Sequence, residues 1–197
     1  MIIGIDQLLA LVSDPNVRMI IDLGEREIIS PDGTGVDLRV GKLFRFRQGS
    51  TGYLHVGHSN TPSRKTPECD LACEFDPSQD IQEIAVIAPG DFYLVQTIER
   101  FRLPENLLGI IMPRTTLFRS GILLLVSFVS PGYGLKEQNG ATLTFGLANI
   151  GGRPFELEMG ARIAHIVFAK VEGETMLYRG PWQKNGGRVW TDPEEQN

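Results

Sequence analysis

The stretch Pro113-Arg114-Thr115-Thr116-Leu117-Phe118-Arg119-Ser120-Gly121 runs straight into Ile122-Leu123-Leu124-Leu125-Val126-Ser127-Phe128-Val129. Thr115 or Thr116 is a good N-cap for one helical turn over Leu117 to Ser120, and Gly121 is suited to close it. The unbroken apolar run that follows predicts a strand buried on both faces. Leu107 to Met112, just before, predicts another strand. Strand, single helical turn and strand is the pattern from which the rest of the chain is read.

Outward from there, most segments read as short strands between turns. Val36 to Val40 alternates and is punctuated by Gly41, and Leu43 to Arg47 alternates again. Residues 48–80 are rich in Gly, Ser, Pro and Asp and predict a long loop. Glu83 to Ala88, Phe92 to Glu99, Ala141 to Ile150, Phe155 to Glu158 and Ile163 to Val171 predict further strands. Pro89-Gly90-Asp91 and Pro131-Gly132-Tyr133-Gly134 supply turns. Only the start reads as a longer helix: Ile5, Leu8, Leu9 and Val12 form a one-sided stripe, ended by Asp14-Pro15. Many short strands between Gly and Pro turns predict an all-β sandwich or closed barrel with a short N-terminal helix. Residues 1–177 are expected to form one domain, with residues 178–197 as a polar, partly mobile C-terminal arm.

The 197 residues are 42% hydrophobic and 22% charged, enough chain for a real core. No stretch has the ~20 apolar residues needed to span a bilayer. The N-terminus carries Asp6 and lacks a basic start, so it does not read as a signal peptide, and the cytoplasm is the expected compartment. A net charge of −5 argues against a general nucleic-acid binder. It is compatible with a small anionic ligand held by a few arginines and backbone N–H groups. The two cysteines, Cys69 and Cys73, do not imply a disulfide scaffold. With His55 and His58 they make a two-His, two-Cys set at spacing atypical for zinc, so no metal site is assigned.

Read on its own, the segment Pro113 to Gly121 is either a compact anion site or a threonine-capped surface turn with two solvated arginines. The anion reading rests on the unpaired N–H groups at a helix start, with Arg114 and the threonine hydroxyls beside them and Arg119 one turn on.

Six segments, in order, carry a family resemblance. Gly35 to Gly41 resembles a V-D-L-R-L-G strand. Ala88 to Leu94 resembles a P-G-E-F segment, and Pro113 to Leu117 a P-R-S-S-L motif with Thr for both Ser. Ser130-Pro131-Gly132-Tyr133 stands at D-P-G-Y. Gly160 to Phe168 is similar to G-x-R-I-A-Q-L-V-F, with His165 for Gln. Tyr178 to Gln183 is similar to Y-x-G-x-Y-Q. Together they resemble the dUTPase/dCTP deaminase superfamily over most of residues 20–190, with archaeal-type dUTPases nearest in motif.

The resemblance implies a distorted β-barrel or jelly roll that forms a homotrimer with sites between subunits. It implies a pyrimidine deoxynucleoside triphosphate as ligand, with Mg²⁺ bound through the triphosphate itself. Arg114, Thr115, Thr116 and Gln183 match phosphate-binding positions. Tyr133 matches the tyrosine that packs on the deoxyribose and rejects a 2′-hydroxyl, and Ser127, Val129 and Tyr178 fall on the sugar and base side. Asp37 and Arg39 are read as structural and His165 as a packed core or interface histidine.

Two positions depart from the pattern. The dUTPase base is an Asp where this chain has Ser130, and a serine hydroxyl is no base at neutral pH without help. The deaminase base is a Glu on the strand Ala141 to Asn149, where either Phe145 or Gly146 stands. Ser130, Glu137 and Arg119 are therefore the catalytic candidates, Glu137 being the nearest replacement carboxylate. The leading expectation is hydrolysis of dUTP to dUMP and diphosphate. The alternatives are deamination of dCTP, or nucleotide binding by a catalytically impaired sensor or regulatory homologue.

Overall fold

The computed structural model describes residues 1–56 and 63–189. Three α-helices are present: α1 (Ile5–Ser13), α2 (Glu25–Ile29) and α3 (Thr115–Arg119). The first strands are β1 (Ile20–Ile21), β2 (Val36–Phe46), β3 (Tyr53–Leu54), β4 (Arg64–Lys65), β5 (Cys69–Glu74), β6 (Ile84–Ile87) and β7 (Phe92–Phe101). They continue as β8 (Leu107–Pro113), β9 (Ile122–Leu125), β10 (Phe128–Val129), β11 (Ala141–Asn149), β12 (Phe155–Glu158) and β13 (Arg162–Lys170). A 3-10 turn spans Pro181–Gly186. Among the described residues no helix is long and apolar enough to cross a membrane.

The main sheet runs β10-β8-β13-β2-β7-β11-β9, with β1 added to β7 and β5 to β2. Its strands pair antiparallel. β9 and β10 lie at opposite ends of this order, yet only Val126 and Ser127 separate them in sequence. That link reaches roughly 10 Å at full extension. The sheet therefore curls until its edges nearly meet, as an all-β half-barrel. Its interior is filled by Leu38, Leu43, Phe101, Leu147, Ile163 and Phe168, all shielded from solvent. α1 lays Leu8 on this core.

Three expectations need correction. Gly41 does not end a strand. β2 runs through it with a register shift against β7, and a Cβ there would come within 3.0 Å of the Thr97 carbonyl. The glycine allows two strands to approach at a bulge, where β2 exchanges β13 for β5 as its second neighbour. The segment 48–80 is not one loop, because β5 pairs with the end of β2 through Phe46 and Cys69. As a largely exposed edge strand it has no apolar alternation to announce it. The apolar run from Ile122 to Val129 is not one strand buried on both faces. It breaks at the seam, and Leu123, Leu125 and Phe128 are 41%, 51% and 66% exposed. Each half is an edge strand covered on one face only.

The turn after Pro131 depends on Gly134. Its φ is +67°, and an added Cβ would lie 2.0 Å from the Phe101 carbonyl oxygen. Gly134→Ala is expected to destabilise by about 2–4 kcal/mol, combining left-handed strain with a backbone clash. The drop in the thermal unfolding midpoint measures it, and an unchanged midpoint would contradict the turn geometry.

Candidate functional site

A cavity of about 550 Å³ opens at the seam of the half-barrel. Its floor is apolar: Leu94 from β7, Ile111 from β8, and Leu143 and Phe145 from β11. The seam supplies Ser127, Phe128, Val129 and Ser130, and Tyr133, Tyr178, Trp182 and Arg188 approach from the other side. Among the described residues no Asp or Glu lines it, and Arg188 is the only charged side chain that does.

Tyr133 is fixed. Its hydroxyl donates to the Thr142 carbonyl at 2.7 Å, and its ring packs on Tyr178 at 5.4 Å. Burial, then the neighbouring Tyr178, pushes its phenol well above the usual range, so it stays neutral. The C-terminal arm is tied down beside it. Gln183 accepts from the Gly134 N–H at 2.9 Å and donates to the Tyr178 carbonyl at 3.0 Å. Thr142 donates to the Gly186 carbonyl, and Gln96 to the Gly187 carbonyl. The arm's 3-10 turn carries Asn185 at φ 56° beside Gly186 and Gly187, so no helical periodicity marks it.

The phosphate segment lies elsewhere. Arg114 is the N-cap residue of α3, with extended backbone and no side-chain capping bond; Thr115 and Thr116 are exposed first-turn residues rather than caps. The helix starts two residues earlier than expected because the Arg114 carbonyl already accepts the Leu117 N–H. Arg114 and Thr116 line a second cleft with Glu156, Glu158 and Arg162.

The Arg114 guanidinium is ion-paired to Asp37, which is 2% exposed. Arg162 donates to the same carboxylate oxygen at 2.9 Å, and His165 Nδ1 lies 2.9 Å from the other. The Asp37 N–H donates to Glu27. Burial works to raise the Asp37 carboxyl, but the hydrogen bonds from His165 and Arg114 outweigh it and hold the group below the usual carboxylate range.

A sequence model of the family described as dCTP deaminase-like matches residues 3–171. The chain belongs to the dCTP deaminase-like family. It is 27% identical over 170 residues to the dUMP-forming dCTP deaminase of Corynebacterium diphtheriae, 82% of either chain. It is 34% identical over 99 residues to the dCTP deaminase of Pyrococcus furiosus, covering 50% of this chain and 60% of that one. In fold it is similar to the 2′-deoxycytidine 5′-triphosphate deaminase of Agrobacterium tumefaciens, with a TM-score of 0.58 and 16% identity. That match covers 87% of this chain and about half (49%) of the other.

For this family member, the fold brings Ser127, Val129, Ser130, Tyr133 and Tyr178 together in one cavity, with Gln183 of the arm buried beside it. It leaves Arg114 and Thr116 in the second cleft and Thr115 and Arg119 on the surface. Glu137 is half-buried in the turn between Gly134 and Gly140 and does not line the cavity. Phe145 faces the cavity, whereas Gly146 packs against Leu125 and Phe92. His165 is half-buried and bonded to Asp37, and Asp37 also holds Arg114. Arg162 and Trp182 lie within the segments Gly160 to Phe168 and Tyr178 to Gln183, where nothing in the sequence sets them apart as site residues. Only their spatial neighbours mark them out.

The two-His, two-Cys set does not come together among the described residues. His55 stacks on Tyr53, Cys69 donates to the Pro67 carbonyl, and Cys73 contacts Glu83. His58 lies outside the described residues. Burial, helped by Asp70, pushes the Cys69 thiol up to about 11, which disfavours the thiolate a metal would need.

Proposed function

We propose that the protein binds a pyrimidine deoxynucleoside triphosphate in the seam cavity and hydrolyses dUTP only slowly, to dUMP and diphosphate. The observation that carries this reading is a cavity that gathers the sugar- and base-side residues yet holds no carboxylate among the described residues. Tyr133, buried and neutral, offers a flat apolar face against C2′ of the sugar and no partner for a 2′-hydroxyl. The curated relatives, named as dCTP deaminases, support a nucleotide of this class.

Phosphate binding falls to Arg114, Thr115, Thr116 and Arg119. These stand apart from the cavity of their own chain, so we assign the complete site to a homotrimer in which one copy's phosphate segment faces another copy's cavity. Exposed Met112, Phe118 and Leu123 provide apolar surface for such contacts. We place the protein with the nucleotide pool of the cytoplasm. Among the described residues no group of three acidic, His or Cys side chains is arranged to hold a metal ion. Mg²⁺ therefore suits this site only as a passenger on the phosphates, where it neutralises charge. The residues themselves orient the phosphates, and Tyr178 and Trp182 shield the cavity from water.

Deamination is disfavoured because β11 lines the cavity with Leu143, Thr144 and Phe145, none of which supplies the carboxylate of a general base. The test is incubation with Mg²⁺ and dUTP or dCTP, alongside calorimetric binding. Binding with slow release of diphosphate supports the reading. Ammonia release from dCTP, or no binding of either nucleotide, overturns it.

A further inference from the structure

Asp37, which is buried and has no direct part in the proposed reaction, is the hub of a charge cluster. Facing it are Arg114 from the start of α3, Arg162 and His165 from β13, and Glu27 and Arg26 from α2. Arg26 Nη1 bonds Glu27 at 2.7 Å and lies 4.0 Å from Asp37 Oδ2, while Arg26 Nη2 pairs with Asp32. Arg162 also stands 3.9 Å from Glu27.

The division of the Asp37 oxygens is uneven. Oδ2 takes both arginines, each through a single Nη1, and Oδ1 takes His165 alone. A guanidinium beside a free carboxylate closes onto both oxygens as a two-pronged pair. Here the imidazole holds the second oxygen, so neither arginine has closed. An ionised Asp37 can only accept, which puts the imidazole proton on Nδ1. The ring is also fixed from behind. A Cβ at position 35 would lie 2.6 Å from His165 Nε2 and 2.2 Å from the Ile166 carbonyl oxygen, so Gly35 lets the preceding loop lie against the ring.

We propose that His165 is a positioning residue which, by occupying Asp37 Oδ1, keeps Arg114 one-pronged and so leaves its other N–H donors free for the nucleotide's phosphates. Without the imidazole, Oδ1 is open and Arg114 closes onto Asp37, turning its second nitrogen away from the ligand side. This inference rests on the phosphate role proposed above for Arg114. It goes beyond that role by giving a function to a β13 residue that does not line the cavity.

The test is calorimetric titration of the full chain with Mg²⁺ and either a non-hydrolysable dUTP analogue or dUMP. Wild type is compared with His165→Ala, which lacks the donor, and His165→Gln, whose amide N–H restores it. In the alanine variant the preference for the triphosphate over dUMP is expected to fall on the order of ten- to a hundredfold, the worth of one charge-assisted hydrogen bond. The glutamine variant keeps the wild-type preference. A purely structural role would weaken both ligands alike, and that result overturns the inference, as does an unchanged preference in the alanine variant. If the alanine variant does not fold, the glutamine variant decides: a folded protein with a reduced preference overturns the inference, and a retained preference supports it. Wild-type protein that binds neither nucleotide removes the phosphate reading and this inference with it. Wild-type binding with an unaffected alanine variant removes this inference alone.

Discussion

Ser130→Asp is expected to raise the rate of dUTP hydrolysis by about 10²–10⁴-fold, the usual worth of a general base. Ser130 lines the cavity between Val129 and the Tyr133 turn, and the turn is held by the Tyr133 N–H donating to the Ser130 carbonyl. That bond uses the backbone, so a new side chain leaves it intact. Among the described residues the cavity has no other carboxylate to repel the new one, and Arg188 on its wall favours the ionised form. An ordinary aspartate, with a pKa of about 3.9, is ionised at neutral pH and can take a proton from an attacking water.

The gain should appear in kcat, since the phosphate and sugar contacts are untouched. It should disappear as the pH falls through the carboxylate range, because the protonated acid cannot accept. Ser130→Asn is the control, with the same size and no basicity. If the aspartate variant binds dUTP but is no faster than the asparagine variant, a missing base is not what limits this protein.

Legibility from sequence differed by element for physical reasons. β11, β12 and β13 were found almost to the residue, because each alternates or packs as a self-contained apolar stretch between turn residues. α1 was found from its stripe. β5 was missed because Cys69-Asp70-Leu71-Ala72-Cys73-Glu74 is mostly exposed and is ordered by ladder bonds to β2, a partner far away in sequence. α2 was missed because a five-residue helix has no periodicity to read. The run Ile122 to Val129 misled because unbroken hydrophobicity looks the same whether it faces a core, a cavity or a further protein surface. In the site, the cavity residues were legible from motif order. The Asp37 cluster was not, since it joins α2, β2, β13 and α3 through contacts up to 128 residues apart. Nothing in the sequence ties His165 to Asp37, because its neighbours in sequence, Ala164 and Ile166, are core residues.

Removing the Arg39 guanidinium is the second large effect expected, and it acts on stability. Glu99 is fully shielded from solvent. Its Oε1 accepts from Arg39 Nε at 2.7 Å, and its Oε2 accepts from the Arg39 backbone N–H at 2.9 Å. Burial pushes the Glu99 carboxyl above the usual range, and Arg39 works against that rise. Arg39→Met keeps the stem and the backbone N–H but leaves a buried carboxylate with no cation. The cost is about 3–5 kcal/mol at neutral pH, or roughly 10 °C in the unfolding midpoint for a chain of this size.

The pH dependence distinguishes this from lost packing. A carboxyl whose folded pKa lies above its unfolded value destabilises the fold once pH exceeds the unfolded value, and the penalty is complete above the folded one. Without Arg39 the folded pKa of Glu99 rises further. The variant's deficit should therefore be largest near pH 7 and shrink as pH falls toward about 4.3, where Glu99 is protonated in both states. Adding Glu99→Gln to Arg39→Met should recover much of the loss at pH 7, since no buried charge is then left unpaired. A deficit equal at pH 5 and pH 7, and untouched by Glu99→Gln, would place the effect of Arg39 in its bond to the Asp22 carbonyl and not in the charge it compensates.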